Sequence, residues 1–160
     1  MAKKPVFFSF HFNNDVMRVQ QVRNIGAIEG NTPVSPNDWE AVKRGGDPSI
    51  KRWIDDNMKY KQCVIVLVGS ETADRPWVRY EIEKAWNDRK PIFGIFIHNL
   101  KCPRTGTCRK GKNPFETFNF KDGGKLSTVV NCYDPSQYDA YNDIARNMDS
   151  WVIAAIAQRK

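Results

Sequence analysis

The chain has 160 residues, of which 41% are hydrophobic and 27% are charged, and its formal net charge is +7. This length suits one domain with a sizeable core, and the composition excludes an intrinsically disordered chain. No apolar run approaches the ~20 residues of a membrane-spanning helix, and the start MAKKPVFFSF lacks the features of a signal peptide. We therefore expect a single domain over residues 1–160 that is soluble and cytoplasmic, with no membrane partner.

Short apolar runs rich in β-branched and aromatic residues predict the strands. They are too continuous for strands with one exposed face, which favours a mainly parallel sheet covered by helices on both faces. The runs are VFFSFHF (6–12), CVIVLVG (63–69), PIFGIFIH (91–98) and STVVNCYD (127–134), and a further short strand fits around residues 26–29.

Helical patterns alternate with these runs. They cover residues 15–24, 47–60 and 75–86, and a closing helix spans about 138–158. This alternation predicts a three-layer α/β fold, with a central sheet between helices. The loop 99–126 is too long for a simple connection.

The cysteines and histidines indicate neither a disulfide framework nor a metal centre. Cys63 and Cys132 lie in strand-like runs, where a buried free thiol is usual. Cys102 and Cys108 frame a turn-rich segment, and two thiolates supply only half the ligands of a zinc site. We expect free thiols and no bound metal, with a disulfide or a metal at Cys102 and Cys108 as the alternative.

Much of the positive charge falls in residues 101–112, which contain no interleaved aromatic side chains. Proteins that bind single-stranded nucleic acid combine charge with aromatic stacking surfaces. The segment therefore favours a solvated basic loop over a nucleic-acid surface, and a nucleic-acid partner is not expected. An anionic nucleotide would also suit this charge.

Glu81 occupies an unexpected place in the helical segment RPWVRYEIEKAW. With about 3.6 residues per turn, it falls at the rim of the apolar face. Burying a charge is costly unless something compensates it. The residues alone allow a carboxylate that faces a ligand crevice, or a glutamate that is salt-bridged to Arg79 or Lys84.

Ligands of open parallel sheets bind beyond the carboxyl ends of the strands, and this helix begins close to such an end. Trp77 and Glu81 are four residues apart, so we expect both to face that crevice. An aromatic plane beside a carboxylate suits a ligand with a flat ring and ribose hydroxyls. The chain has neither a GxxxxGK[ST] nor a GxGxxG motif and no recognisable catalytic triad.

The segments FFSFHFNND, VLVGSETADRPWVRYEIEKAW and GIFIHNL...GKNPF span roughly residues 5–120 and resemble the TIR-like domains. The likeness is closest to the ThsB-type proteins of the Thoeris bacterial antiphage system. It implies a flavodoxin-like fold in which Glu81 is the catalytic residue of NAD+ cleavage and Trp77 the aromatic residue before it. It also implies that the end of the first strand, from Ser9 through Phe10 and His11 to Phe12, lines the nucleotide pocket.

One departure from the family concerns the phosphate contacts. Where other TIR enzymes often have basic residues after the first strand, this chain has His11 and Phe12. Asp15 and Arg18 are the remaining candidates for that part of the substrate-binding site.

The resemblance also implies a function in antiphage defence. NAD+ would be the substrate, without a separate cofactor, and the product would be a cyclic ADP-ribose-type signal. That signal would activate a partner effector that senses cyclic nucleotides, after a phage-derived trigger and with self-association of the active enzyme. The alternative is a non-catalytic TIR-like interaction or adaptor module.

Overall fold

The computed structural model describes residues 4–25, 28–30 and 42–159, with residues 12–14 and 28–30 described by their backbone alone. Strands and helices alternate along the chain up to residue 96, as the sequence predicts. In chain order the main elements are β1 (Lys4–Ser9), α1 (Phe12–Arg23), β2 (Ile28–Gly30), α2 (Gly46–Met58), β3 (Cys63–Val68), α3 (Pro76–Asn87), β4 (Ile92–Phe96), β5 (Cys132–Tyr133) and α4 (Ala140–Gln158).

Among the described residues, five strands form one parallel sheet in the order β2-β1-β3-β4-β5. This is the strand order of flavodoxin-like folds. Every residue of the central strand β3 is buried, because helices cover both faces of the sheet. The predicted parallel α/β fold is confirmed. No described helix has the length and apolar character needed to cross a membrane.

Two apolar clusters hold the helices to the sheet, one on each face. The first joins α1 and α4 to the sheet, and the second joins α2 and α3 to its other face. Successive side chains of a strand point to opposite faces, so Phe8 enters the first cluster and Phe7 the second. This alternation decides which residues at the end of β1 can meet α3.

The predicted bounds of the first and last strands are wrong. The run 6–12 contains a strand that ends at Ser9, and α1 already begins at Phe12. An apolar run alone cannot separate a buried strand from the start of a buried helix. The run 127–134 contributes only Cys132–Tyr133, because residues before it form a 3₁₀ turn, Leu126–Thr128, that packs in the second cluster.

Phe115 anchors the long loop 99–126 to the sheet. It is fully buried in the second cluster, at the start of a 3₁₀ turn formed by Pro114–Thr117. The side-chain oxygen of Asn113 accepts a hydrogen bond of 2.9 Å from the Phe115 amide. A Cβ atom at Gly94 would lie 2.8 Å from the Phe115 ring, so the glycine in β4 leaves room for it. The loop is therefore built into the core.

Truncating this anchor tests the attachment of the loop. We expect Phe115→Ala to lower the free energy of unfolding by about 3–5 kcal/mol, because it removes a buried ring and leaves a cavity. Urea denaturation of both proteins would measure the difference. Tyr138→Ala is the control, since that ring is 89% exposed and its loss should change stability by less than about 0.5 kcal/mol. Equally small losses in the two variants would contradict the anchoring role.

Candidate active site

Glu81 and Ser9 meet where β1 ends beneath α3. Ser9 pairs with Val66 of β3, and α3 packs against the same strands. The Ser9 hydroxyl donates a hydrogen bond of 2.7 Å to Oε1 of Glu81. Ser9 is fully buried and Glu81 is 7% exposed. The carboxyl that we expected to open onto a ligand crevice is thus largely enclosed between the helix and the sheet.

Burial changes the protonation of Glu81. It raises the pKa of the carboxyl from 4.5 to about 8, and the hydrogen bond from Ser9 opposes part of that rise. The physical cause is the loss of water around the charged form. The protonated form therefore predominates at pH 7. A buried acid with such a shifted pKa is typical of functional sites.

The alternative in which Glu81 is salt-bridged to a neighbouring cation is wrong. The Arg79 guanidinium donates to the Thr117 hydroxyl on the long loop. The Lys84 ammonium lies 2.8 Å from a carboxylate oxygen of Asp88. In the part of the chain that the structure describes, neither cation forms an ion pair with Glu81. The carboxyl is buried without the compensation that a structural ion pair would give.

Trp77 precedes Glu81 by one turn of α3. It is half-buried, packs against the second cluster and meets the Tyr80 ring edge-on, with 5.7 Å between ring centroids. Its remaining exposed surface is compatible with a ligand, and its stacking on substrate stays a prediction.

Phe10 lies on the other side of the sheet from Glu81. It is half-buried and packs against the first cluster, with α1 and α4. The strand alternation that directs Ser9 toward α3 directs Phe10 away from it. The structure therefore does not bring Phe10 to Glu81, and the side chain of Phe12 lies outside the described residues.

His11 stands at the N-cap position of α1, where its carbonyl accepts a hydrogen bond of 3.0 Å from the Asp15 amide. Its Nδ1 atom is buried and has no hydrogen-bond partner among the described residues. Burial lowers the pKa of the imidazole; the charge of Arg75 lowers it further, and Glu71 opposes this. His11 therefore sits between the end of β1 and the segment that follows β3, and its contact with substrate stays a prediction.

Asp15 and Arg18 form an internal anchor for the long loop. They are 1% and 3% exposed, and Nη1 of Arg18 lies 3.2 Å from Oδ1 of Asp15. The Arg18 guanidinium also donates to the carbonyls of Leu100 at 2.9 Å and Gly106 at 2.8 Å. Burial raises the pKa of Asp15, and the Arg18 charge opposes that rise. Arg18 is thus engaged in holding the loop, with Asp15 as its ion-pair partner. A contact of either residue with a phosphate stays a prediction.

Two glycines allow the long loop and α1 to approach the end of β3 closely. A Cβ atom at Gly111 would lie 2.1 Å from the Gly69 carbonyl oxygen, and one at Gly69 would lie 2.2 Å from Oδ2 of Asp15. Residue 111 must be glycine, because a backbone oxygen occupies the space of a Cβ atom. A side chain at residue 69 would have to displace the Asp15 carboxylate. The loop, α1 and the end of β3 converge here.

A cleft of about 630 Å³ opens beside this convergence. Residues of the segment 70–75, between β3 and α3, form one side, and residues 109–112 of the long loop form the other. Glu81 and Ser9 lie outside its lining. The basic character and unusual length of the loop are visible in the sequence, but its position at the end of β3 has no local sequence signal.

Comparison with known proteins identifies the family. The chain matches the family model of the Thoeris protein ThsB, TIR-like domain, over residues 7–102, which is more than half of its length. The protein belongs to the ThsB TIR-like family. The matched region contains both Ser9 and Glu81, and the predicted resemblance is confirmed.

A curated relative extends the match beyond that region. The chain is 33% identical over 153 residues to the protein of Bacillus cereus (strain MSX-D12) named "Putative cyclic ADP-D-ribose synthase ThsB1". The alignment covers 91% of this chain and 78% of the relative. It therefore includes the long loop 99–126 as well.

The burial of Glu81 predicts an unusual effect of pH on stability. A carboxyl whose pKa is higher in the folded than in the unfolded state makes stability fall as pH rises between the two values. For Glu81 this window runs from about 4.5 to about 8. Glu81→Gln removes the titrating group. We expect the variant to exceed wild type in unfolding free energy by about 2–4 kcal/mol at pH 8, and by far less near pH 4.

Urea denaturation at both pH values would measure this effect. Glu83→Gln is the matched control, because Glu83 is exposed on the same helix and should show no such pH-dependent gain. A Glu81→Gln protein less stable than wild type at pH 8 would mean that the carboxylate stabilises the fold, contrary to its burial without a cation.

Proposed function

We propose that this protein cleaves NAD+ at the bond between nicotinamide and ribose and converts the remainder into a cyclic ADP-ribose isomer. The observation that carries the proposal is the Glu81 carboxyl, buried without a cation and held by Ser9 at the carboxyl end of the sheet. Membership of the ThsB TIR-like family and the name of the Bacillus cereus relative support it.

One carboxylate is sufficient for this reaction. Most glycosidases need a second carboxyl to protonate the leaving group. Nicotinamide instead leaves from a cationic pyridinium, so the electron pair of the broken bond neutralises the ring nitrogen and no acid is required. What the enzyme must stabilise is the positive charge that develops on the ribose, and an ionised Glu81 beside it would do so.

The raised pKa of Glu81 couples its ionisation to the substrate. The carboxyl has a pKa of about 8 when only the protein surrounds it. A pyridinium cation placed nearby favours the charged form of the carboxyl and lowers its pKa. NAD+ therefore helps to create the carboxylate that acts on it, whereas a neutral ligand would not.

Burial of Glu81 favours cyclisation over hydrolysis. Exclusion of water from the site gives an atom of the bound ADP-ribose time to bond to the anomeric carbon. If that atom belongs to a hydroxyl, its proton must leave, and a carboxylate with a raised pKa is a suitable acceptor. If water reaches the carbon first, the product is ADP-ribose.

In a Thoeris system this product would act as a signal for a second protein. We propose that the effector recognises the cyclic nucleotide and that infection by phage switches the synthase on, with self-association of the active enzyme. A non-catalytic adaptor role is not favoured, because the relative is named as a synthase and this chain carries the buried Glu81.

Product analysis tests the proposal directly. Wild type, Glu81→Gln and the control Glu83→Gln would be expressed in bacteria, with and without phage challenge, and the extracts analysed by mass spectrometry. We expect a cyclic ADP-ribose isomer with wild type and the control, and about 10²-fold less or none with Glu81→Gln. Equal product from wild type and Glu81→Gln would exclude Glu81 as the catalytic residue. Identical extracts from all three proteins and from cells without them would favour the adaptor.

The pH dependence of the reaction gives a second test. Since the free enzyme must lose a proton from Glu81, we expect kcat/KM for NAD+ to rise by about tenfold per pH unit below pH 8 and to level off above the Glu81 pKa of about 8. Ser9→Ala removes a hydrogen bond that lowers this pKa, so its profile should move to higher pH. A profile that is flat from pH 5 to pH 9 would contradict a carboxylate with this pKa.

A further inference from the structure

The cleft beside the end of β3 carries an excess of positive charge. Its lining contains four basic side chains and two acidic ones, contributed by the segment 70–75 and by residues 109–112. A concave surface of this charge attracts anions and concentrates field lines between its walls. It lies at the edge of the sheet where open α/β folds bind their ligands.

Two of the four cations already have partners. The Lys110 ammonium lies 2.8 Å from a carboxylate oxygen of Asp134 and 4.5 Å from the centroid of the Phe96 ring. The Arg75 guanidinium lies 3.4 Å from a carboxylate oxygen of Glu71. These contacts neutralise both groups in part and fix their positions along the cleft.

Arg109 and Lys112 differ from those two cations. Both are exposed, both line the cleft, and neither forms an ion pair with a residue that the structure describes. Gly111 lies between them and rests against the Gly69 backbone, which fixes their segment of the loop at the end of β3. The loop therefore places two cations in the cleft that form no ion pair with a described residue.

The first basic residue that follows β1 in the sequence, Arg18 of α1, is already engaged. Arg18 is 3% exposed and its guanidinium donates to Asp15, Leu100 and Gly106. Releasing it for a ligand would break the contacts that hold the loop and leave a buried charge unpaired. A phosphate bound near this site would therefore contact the cations on the loop side of the cleft, in residues 109–112.

The segment that lines one side of the cleft leads directly into the helix of Glu81. Arg75 and Glu71 act electrostatically on His11, which lies two residues beyond Ser9, the hydrogen-bond partner of Glu81. From Arg75, the N-cap residue of α3, the six steps to Glu81 amount to ~9 Å along the helix axis at 1.5 Å per residue. A ribosyl phosphate together with an arginine or lysine side chain can bridge such a span.

We propose that Arg109 and Lys112 bind the pyrophosphate of NAD+, so that the loop after β4 supplies the phosphate contacts of this enzyme. The inference rests on the proposed NAD+ cleavage and identifies the anion-binding part of the same site. Arginine presents a planar fork of donors to phosphate oxygens, and lysine adds a point charge. The position of these cations would set the adenine end of the substrate beyond the cleft and the nicotinamide ribose toward Glu81.

The experiment compares two charge-matched double variants of the same loop. Arg109→Gln with Lys112→Gln removes the two cleft cations. Lys101→Gln with Arg104→Gln removes two exposed cations of the loop that lie outside the cleft lining. We would measure kcat and KM for NAD+ cleavage and, by calorimetry, the affinity of each protein for ADP-ribose. The paired substitutions Arg109→Lys and Lys112→Arg would test rescue by charge.

We expect the cleft variant to raise KM and to weaken ADP-ribose binding by about tenfold or more, with kcat nearly unchanged. The control should match wild type, and the charge-retaining variant should recover most of the affinity. Equal effects of both double variants, or no effect of the cleft variant, would overturn the inference. DNA affinity at low salt would be titrated for the same proteins. A cleft variant that keeps its affinity for ADP-ribose but loses affinity for DNA would also overturn the inference, because the cations would then bind nucleic acid.

The ADP-ribose measurement separates this inference from the proposed function. If wild type cleaves no NAD+ but binds ADP-ribose through Arg109 and Lys112, the proposed activity fails and the phosphate site stands. If NAD+ is cleaved and the cleft variant behaves as wild type, the activity stands and the phosphate site fails. Failure of wild type to bind ADP-ribose, without cleavage, would overturn both.

Discussion

The enclosure of the Glu81 carboxyl between α3 and the end of β1 is the constraint on which the rest of the site depends. A buried carboxyl without a cation shifts toward its neutral form, and the Ser9 hydroxyl offsets only part of that cost. Such a group weakens the fold at neutral pH, which proteins tolerate where activity requires it. The same enclosure makes the carboxyl sensitive to a nearby cation and keeps water from the reaction it would promote.

The long loop is the second part of this arrangement. Phe115 fixes its later half in the core, and Arg18 holds its first residues to α1. Between these anchors, Gly111 rests on Gly69 at the end of β3. The loop thus covers the edge of the sheet near α3 and forms one wall of the cleft. A loop that is anchored in this way can present charged side chains at fixed positions, as a flexible connection cannot.

Local patterns predicted the elements well where one physical signal dominated. The 3.6-residue periodicity located α3 to within one residue at each end and placed Glu81 at the rim of its apolar face. Continuous apolar runs gave wrong strand bounds in two places. In 6–12 the apolar residues continue from a strand into a helix, and the first residues of 127–134 belong to a 3₁₀ turn. Burial is common to all these states, so apolar character alone cannot distinguish them.

The sequence by itself determined a parallel α/β fold, the TIR-like family, and a glutamate on a helix that begins near the carboxyl end of a strand. Only the tertiary structure decided the partners of that glutamate. Ser9 faces it and Phe10 does not, because adjacent residues of β1 point to opposite faces of the sheet. Arg18 donates hydrogen bonds to two carbonyl groups of the loop, whereas Arg109 forms no ion pair with a residue that the structure describes. These partners lie far apart in the chain, and local periodicity carries no information about contacts at such separations.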